Sequence, residues 1–163
     1  MDPFEQLDAA LDAYDDRQVK VRSAAEQRQA EEDAFIAEFS NFRSITAHPV
    51  FEEIGNRLHQ RGHEFEVVMN DPPTDASRTR IGITLHVYPA GTGGRHGARS
   101  DHPQFTVNAD PYSRKVKFHS VITFPGGGMQ SGPDGGDYSL EDLSADVLRA
   151  KAIAVIAKSF GPR

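Results

Sequence analysis

Between Phe4 and Pro49 the chain contains neither glycine nor proline, and nine of its apolar residues fall on one heptad seam. Phe4, Leu7, Leu11, Tyr14, Val21, Ala25, Phe35, Phe39 and Phe42 follow one another on a single series of alternating three- and four-residue steps. Ala, Glu, Gln and Arg, all good helix formers, dominate the positions between them. Gln18, Arg28 and Glu32 interrupt the seam, which leaves its middle weaker than its ends. The pattern predicts an acidic helical arm over residues 1–46, coiled-coil-like in its periodicity.

A continuous helix from about Asp2 to Arg43 would run for roughly 60 Å. A domain built from the remaining roughly 120 residues would have a diameter near 30 Å. The surplus stripe needs a second surface, because an isolated amphipathic helix is marginal in water. That surface is a second copy, the arm's own domain, or the arm itself folded back at a break near "YDDRQ". The expectation is a homo-oligomer assembled through Phe4, Leu7, Leu11, Tyr14, Val21, Phe35, Phe39 and Phe42.

Residues 47–163 read as an α+β domain. "AHPVFEEIGNRLHQRGH" predicts a helix over 49–61, with Pro49 at its first position and Gly62 at its left-handed stop. Four strand-like runs follow, at about 63–70, 80–88, 103–109 and 115–124. "RIGITLHVY" alternates strictly, with Ile81, Ile83, Leu85 and Val87 in one phase. The other runs put Phe65, Val67 and Met69, Phe105 and Val107, and Val116, Phe118, Ile122 and Phe124 in the same sense. One apolar and one polar face predict a four-stranded antiparallel sheet covered on one side. "NADPYSRK" suits a hairpin connection. A final helix over about 140–160, apolar enough to be largely buried, is the natural cover for the sheet.

The charge is unevenly placed. Residues 1–46 carry 11 acidic and 5 basic side chains, which is the whole of the net −6. Residues 78–119 carry seven basic groups against Asp101 and Asp110. A local basic field of this kind favours an electrostatic partner. The candidate anion- or partner-binding residues are Arg78, Arg95, Arg99, His86, Lys115, Lys117 and His119.

The glycine-rich stretch "FPGGGMQSGPDGGDYSLEDL" is not a phosphate loop. It lacks the lysine and Ser/Thr of GxxxxGK[ST], and the strands around it read as antiparallel. Asp134, Asp137, Glu141 and Asp142 already occupy the positive end of the following helix, with Ser139 as the expected cap and Tyr138 and Leu143 as a hydrophobic staple. The absence of cysteine excludes disulfides, thiolate nucleophiles and cysteine metal sites. No HExxH or GxSxG occurs, and no metal, cofactor or catalytic residue is expected. His86 and His119 share the polar face and would meet only if their strands were neighbours. An RNA-reading sheet would expose several aromatics there, and only Tyr88 comes close. The acidic N-terminus carries no secretory signal and no apolar run approaches membrane-spanning length, so a cytoplasmic location is expected and a membrane is not.

No motif identifies a family. The order of elements is loosely similar to that of small partner-binding bacterial proteins such as secretion chaperones, in architecture alone. The sequence points first to a non-enzymatic protein–protein interaction or adaptor protein that self-associates through its N-terminal helix and holds a protein partner. The alternatives are a nucleic-acid or polyanion binder using the basic loops, which the overall acidity disfavours, and an enzyme of unknown type with its site on the polar sheet face.

Overall fold

A computed structural model describes residues 2–71, 81–91, 102–124 and 128–161. The fold is α+β: one long N-terminal helical rod, an antiparallel sheet of five strands and a C-terminal helix. The rod comprises α1 (Pro3–Phe42), a π turn (Arg43–Ala47) and α2 (His48–Gln60), with helical backbone throughout. At 1.5 Å per residue it is about 87 Å long. There is no break at Tyr14–Gln18, so the arm does not fold back on itself.

Asp2 starts the rod as an N-cap, its carboxylate accepting from the Phe4 amide at 3.1 Å, with Pro3 in the first turn. Pro49 does not begin a new helix, contrary to the sequence expectation. Proline inside a helix lacks a donor and crowds the carbonyl four residues earlier. The π turn immediately upstream accommodates it: the His48 amide bonds back to Arg43, five residues away, and the rod continues. Helix α2 then ends where Gly62 takes φ 90°.

The strands are β1 (Glu64–Asn70), β2 (Gly82–Tyr88), β3 (Gln104–Asp110), β4 (Lys115–Thr123) and β5 (Met129–Pro133), paired in sequence order. The first four lie within a residue or two of their expected positions. The fifth corrects the four-strand expectation. "MQSGP" has no apolar alternation and two turn-forming residues, yet it pairs with His119–Thr123 along the outer side of β4. Being an exposed edge, it has no core face to advertise itself.

The covered face carries Ile83, Leu85, Val87, Phe105, Val107, Val116 and Phe118, all buried. Over it pack α2, through Val50, Phe51 and Ile54, and α3 (Ala145–Phe160), through Leu148, Ala152, Val155 and Ile156. Gly55 is needed in α2 because a side chain there would collide with the Phe65 ring of β1. The C-terminal helix starts later than expected. Leu140–Asp142 form a 3₁₀ turn, and the cap of α3 is Ser144, accepting from the Val147 amide at 3.2 Å. Ser139, the expected cap, instead accepts from Lys115 Nζ at 2.8 Å. Tyr138 and Leu143, the expected staple, both belong to the core region.

Candidate functional site

The heptad seam divides into two stretches with different fates. Phe35 and Phe39 are 7% and 0% exposed, and they sit in the same core as α2 and the sheet. Phe42 packs against that core and meets Phe39 at 6.0 Å between ring centroids. These three residues pack in or against the domain's own core, unlike the other residues named for oligomerisation. Their spacing is the same as that of the outer seam, so the sequence had no way to separate the two roles.

The outer stretch meets no domain. Phe4 is 73% exposed, and Leu7, Leu11, Tyr14 and Val21 are 51%, 50%, 52% and 64% exposed. Every described residue from Asp2 to Glu31 is exposed. Scattered exposed leucines are unremarkable, but these five residues form one apolar stripe along a continuous helix.

The boundary between the stretches is set by the β3–β4 hairpin. Its turn is organised by Asp110, whose carboxylate accepts from the Tyr112 amide at 3.1 Å and the Ser113 hydroxyl at 2.9 Å. Arg114 adopts φ 55°, an uncommon conformation for a residue with a side chain. From there its guanidinium reaches Glu31 of α1 at 3.0 Å. Both partners are about half exposed, so the pair positions the hairpin more than it stabilises it. Between helix and hairpin lies an open notch of about 410 Å³, lined by Ala24, Arg28, Glu31, Tyr112 and Arg114 among others. Tyr112 is 84% exposed at its rim.

A second anchor lies at the π turn. The Arg43 guanidinium donates to the Asn70 carbonyl at 3.2 Å, the Gly82 carbonyl at 3.3 Å and the Asp71 carboxylate at 2.8 Å. One side chain thus ties the rod to the adjoining ends of β1 and β2. Its Nε is buried with no hydrogen-bond partner among the described residues. Sequence reading missed Arg43 because its partners come from the far ends of two strands.

The polar sheet face holds the remaining candidates. Asn70, Thr84 and Thr106 form a hydrogen-bonded ladder across three strands, at 2.9 Å for each step. His86 and His119 do not meet, because β3 runs between β2 and β4. His86 Nδ1 instead lies 2.8 Å from His102 Nε2, and a bond between them requires one ring to donate and the other to accept. Tyr88 stacks parallel to the His86 ring and meets the His102 ring at a tilt, and its hydroxyl donates to Glu66 at 3.3 Å. Burial first, and His102 second, lower the His86 pKa below the ordinary 6.5, while Glu66 pulls the other way. Sequence alternation put His86 on this face, but His102 precedes β3 and only the pairing register brings it close.

Among the described residues no group of three or more His, Asp or Glu could hold a metal ion. Lys117 is paired with Asp110 at 3.1 Å, which raises the lysine pKa. Burial of Asp110 acts upward on its own pKa but is outweighed by hydrogen bonds from Lys117, Ser113 and the Tyr112 amide, so its pKa falls below the ordinary value. With Lys115 on Ser139, the β4 lysines are engaged within the chain. Arg78, Arg95 and Arg99 lie outside the described residues. An open groove of about 650 Å³ between α2 and the edge strand β1 is lined by Glu52, His59, Glu64 and Glu66 and is acidic in character. No described helix is long and apolar enough to cross a membrane.

Comparison with known protein families, with curated proteins and with solved structures returned no match. The functional reading therefore rests on the geometry alone.

Proposed function

We propose that the chain is a non-enzymatic interaction protein that self-associates through the outer part of its N-terminal helix and presents its α+β domain to a protein partner. The observation that carries this reading is the apolar stripe from Phe4 to Val21, held in water on a rod whose own core begins only at Phe35. Burying such side chains is worth about 1.5–3 kcal/mol each when complete, a gain that a second helix would realise. The continuity of the rod supports the same reading, because a helix that cannot fold back cannot cover its stripe intramolecularly.

The nucleic-acid alternative gains nothing from the two β4 lysines named for it, since Lys115 and Lys117 already have partners within the chain. The test is sedimentation velocity of the full-length protein beside a Leu7→Ser, Leu11→Ser, Tyr14→Ser variant. The unaltered chain is expected as a dimer or larger species, and the variant as a monomer with its domain intact. An unaltered chain that stays monomeric at high concentration removes the reading.

A further inference from the structure

The outer arm is divided by charge as well as by exposure. Residues 2–16 carry Asp2, Glu5, Asp8, Asp12, Asp15 and Asp16 and no basic group. Residues 17–28 carry Arg17, Lys20, Arg22 and Arg28 against Glu26 alone. Two arms aligned in parallel and in register would place six carboxylates beside six carboxylates. They would also bring Arg17 of one helix against Arg22 of the other, the usual flanking contact of parallel pairs. Reversing one arm sets each acidic block beside a basic block.

Resting on the self-association proposed above, we infer that the arm's occupant is a second copy of this chain, antiparallel and overlapping over residues 4–28. Seam residues then pair across the interface as Leu11 with Val21, Leu7 with Ala25, Tyr14 with Gln18, and Phe4 with Arg28. All five exposed apolar seam residues are covered. Asp8 flanks Arg22 of the second copy, twice by symmetry. At the twofold axis Asp15 and Arg17 face their own copies, so contact-range charge nearly balances, and the opposed blocks decide the orientation within a screening length of about 8 Å.

Two observations select this register over the two displaced by a heptad. Sliding the second copy outward puts Asp8 beside Asp15, again twice, and sliding it inward carries its Phe4 to Phe35, which is buried under the domain. The chosen pairing also ends the incoming helix at Arg28, just before the point where Glu31 is tied to the hairpin and the seam passes under its own domain. Phe4 of the second copy arrives at the notch rimmed by Tyr112, an exposed aromatic with an apolar ring to contact.

The chain lacks cysteine, so a single Glu5→Cys substitution accepts one spin label per full-length molecule. Pulsed dipolar spectroscopy on the labelled protein reads the pairing directly. The inferred register separates the two labels by about 33 Å along the axis, at 1.5 Å per residue. The two antiparallel registers displaced by a heptad give about 22 Å and about 44 Å on the same rise, and either distance overturns the register. A parallel pair brings the labels to about one interhelical distance, roughly 10 Å. That result overturns the orientation and leaves self-association standing. No dipolar coupling, with a monomer by sedimentation, removes both this inference and the reading beneath it. As a second measurement, Arg22→Glu should weaken dimerisation about tenfold, and Asp8→Arg in the same chain should restore it. Equal dimerisation by all three proteins contradicts the inferred pairing.

Discussion

Two lengths of one helix carry the same seam and behave as different materials. From Phe35 to Phe42 the seam is part of a globular core, with α2 and the sheet packed around it. From Phe4 to Val21 it stands in water. Nothing in helix propensity or periodicity distinguishes the two lengths. The difference lies in what the rest of the chain can reach: the domain covers the rod only from Phe35 to Gln60, about 39 Å of its roughly 87 Å at 1.5 Å per residue. An amphipathic stripe therefore reports that a partner surface exists, and not whether that surface is in the same molecule.

The comparison is broken most severely by Phe39→Ala. Removing a fully buried ring at the centre of the inner stretch should cost about 3–5 kcal/mol of folding stability, read as a lower denaturant midpoint. Leu11→Ala, at the same seam position four heptads outward, should leave the domain within about 0.5 kcal/mol and weaken the proposed self-association instead. Comparable destabilisation by both would mean that the outer stretch also belongs to the monomer's core.

Arg43→Ala comes next. It leaves the Asn70 and Gly82 carbonyls without the guanidinium that holds them, at an expected cost of about 2 kcal/mol. Hydrogen exchange should quicken at the ends of β1 and β2 while the outer arm is unaffected. An unchanged exchange pattern would show that the junction is held by packing alone.

The smallest effect concerns pH. The His86 pKa is lowered in the folded protein, so near the ordinary value of 6.5 the unfolded chain binds more protons than the folded one. Stability is then level above this value and declines as pH falls through it toward the lowered folded pKa. The decline belongs to the domain, the inner stretch of the rod included, and the outer stretch should not share it. Denaturation midpoints compared at about pH 7.5 and about pH 5.5 should differ less in His86→Gln than in the unaltered protein. An equal difference in both assigns the decline to other groups.

Most of the fold was legible because most of it obeys local rules. Strict alternation at Ile81, Ile83, Leu85 and Val87 located β2, and Asp110-Pro111 located the β3–β4 turn. What escaped depended on neighbours. β5 is a strand only because β4 offers it an edge, and "MQSGP" carries no sign of that by itself. Pro49 read as a beginning because a proline usually is one, and only the π turn before it shows otherwise. Within the candidate sites, the seam was legible in the sequence, but not which length of it the domain would cover. The Arg43 anchor and the His86–His102 contact were not, since both join groups that the chain order keeps apart.

The π turn has a mechanical consequence. By absorbing Pro49 without a bend into loop, it denies the molecule a joint where one would be expected between shaft and head. Whatever grips the shaft is thereby joined to the head through unbroken helical backbone. Should two shafts lie side by side, the heads would become the weights of a dumbbell, held apart and facing in directions that the shafts alone dictate.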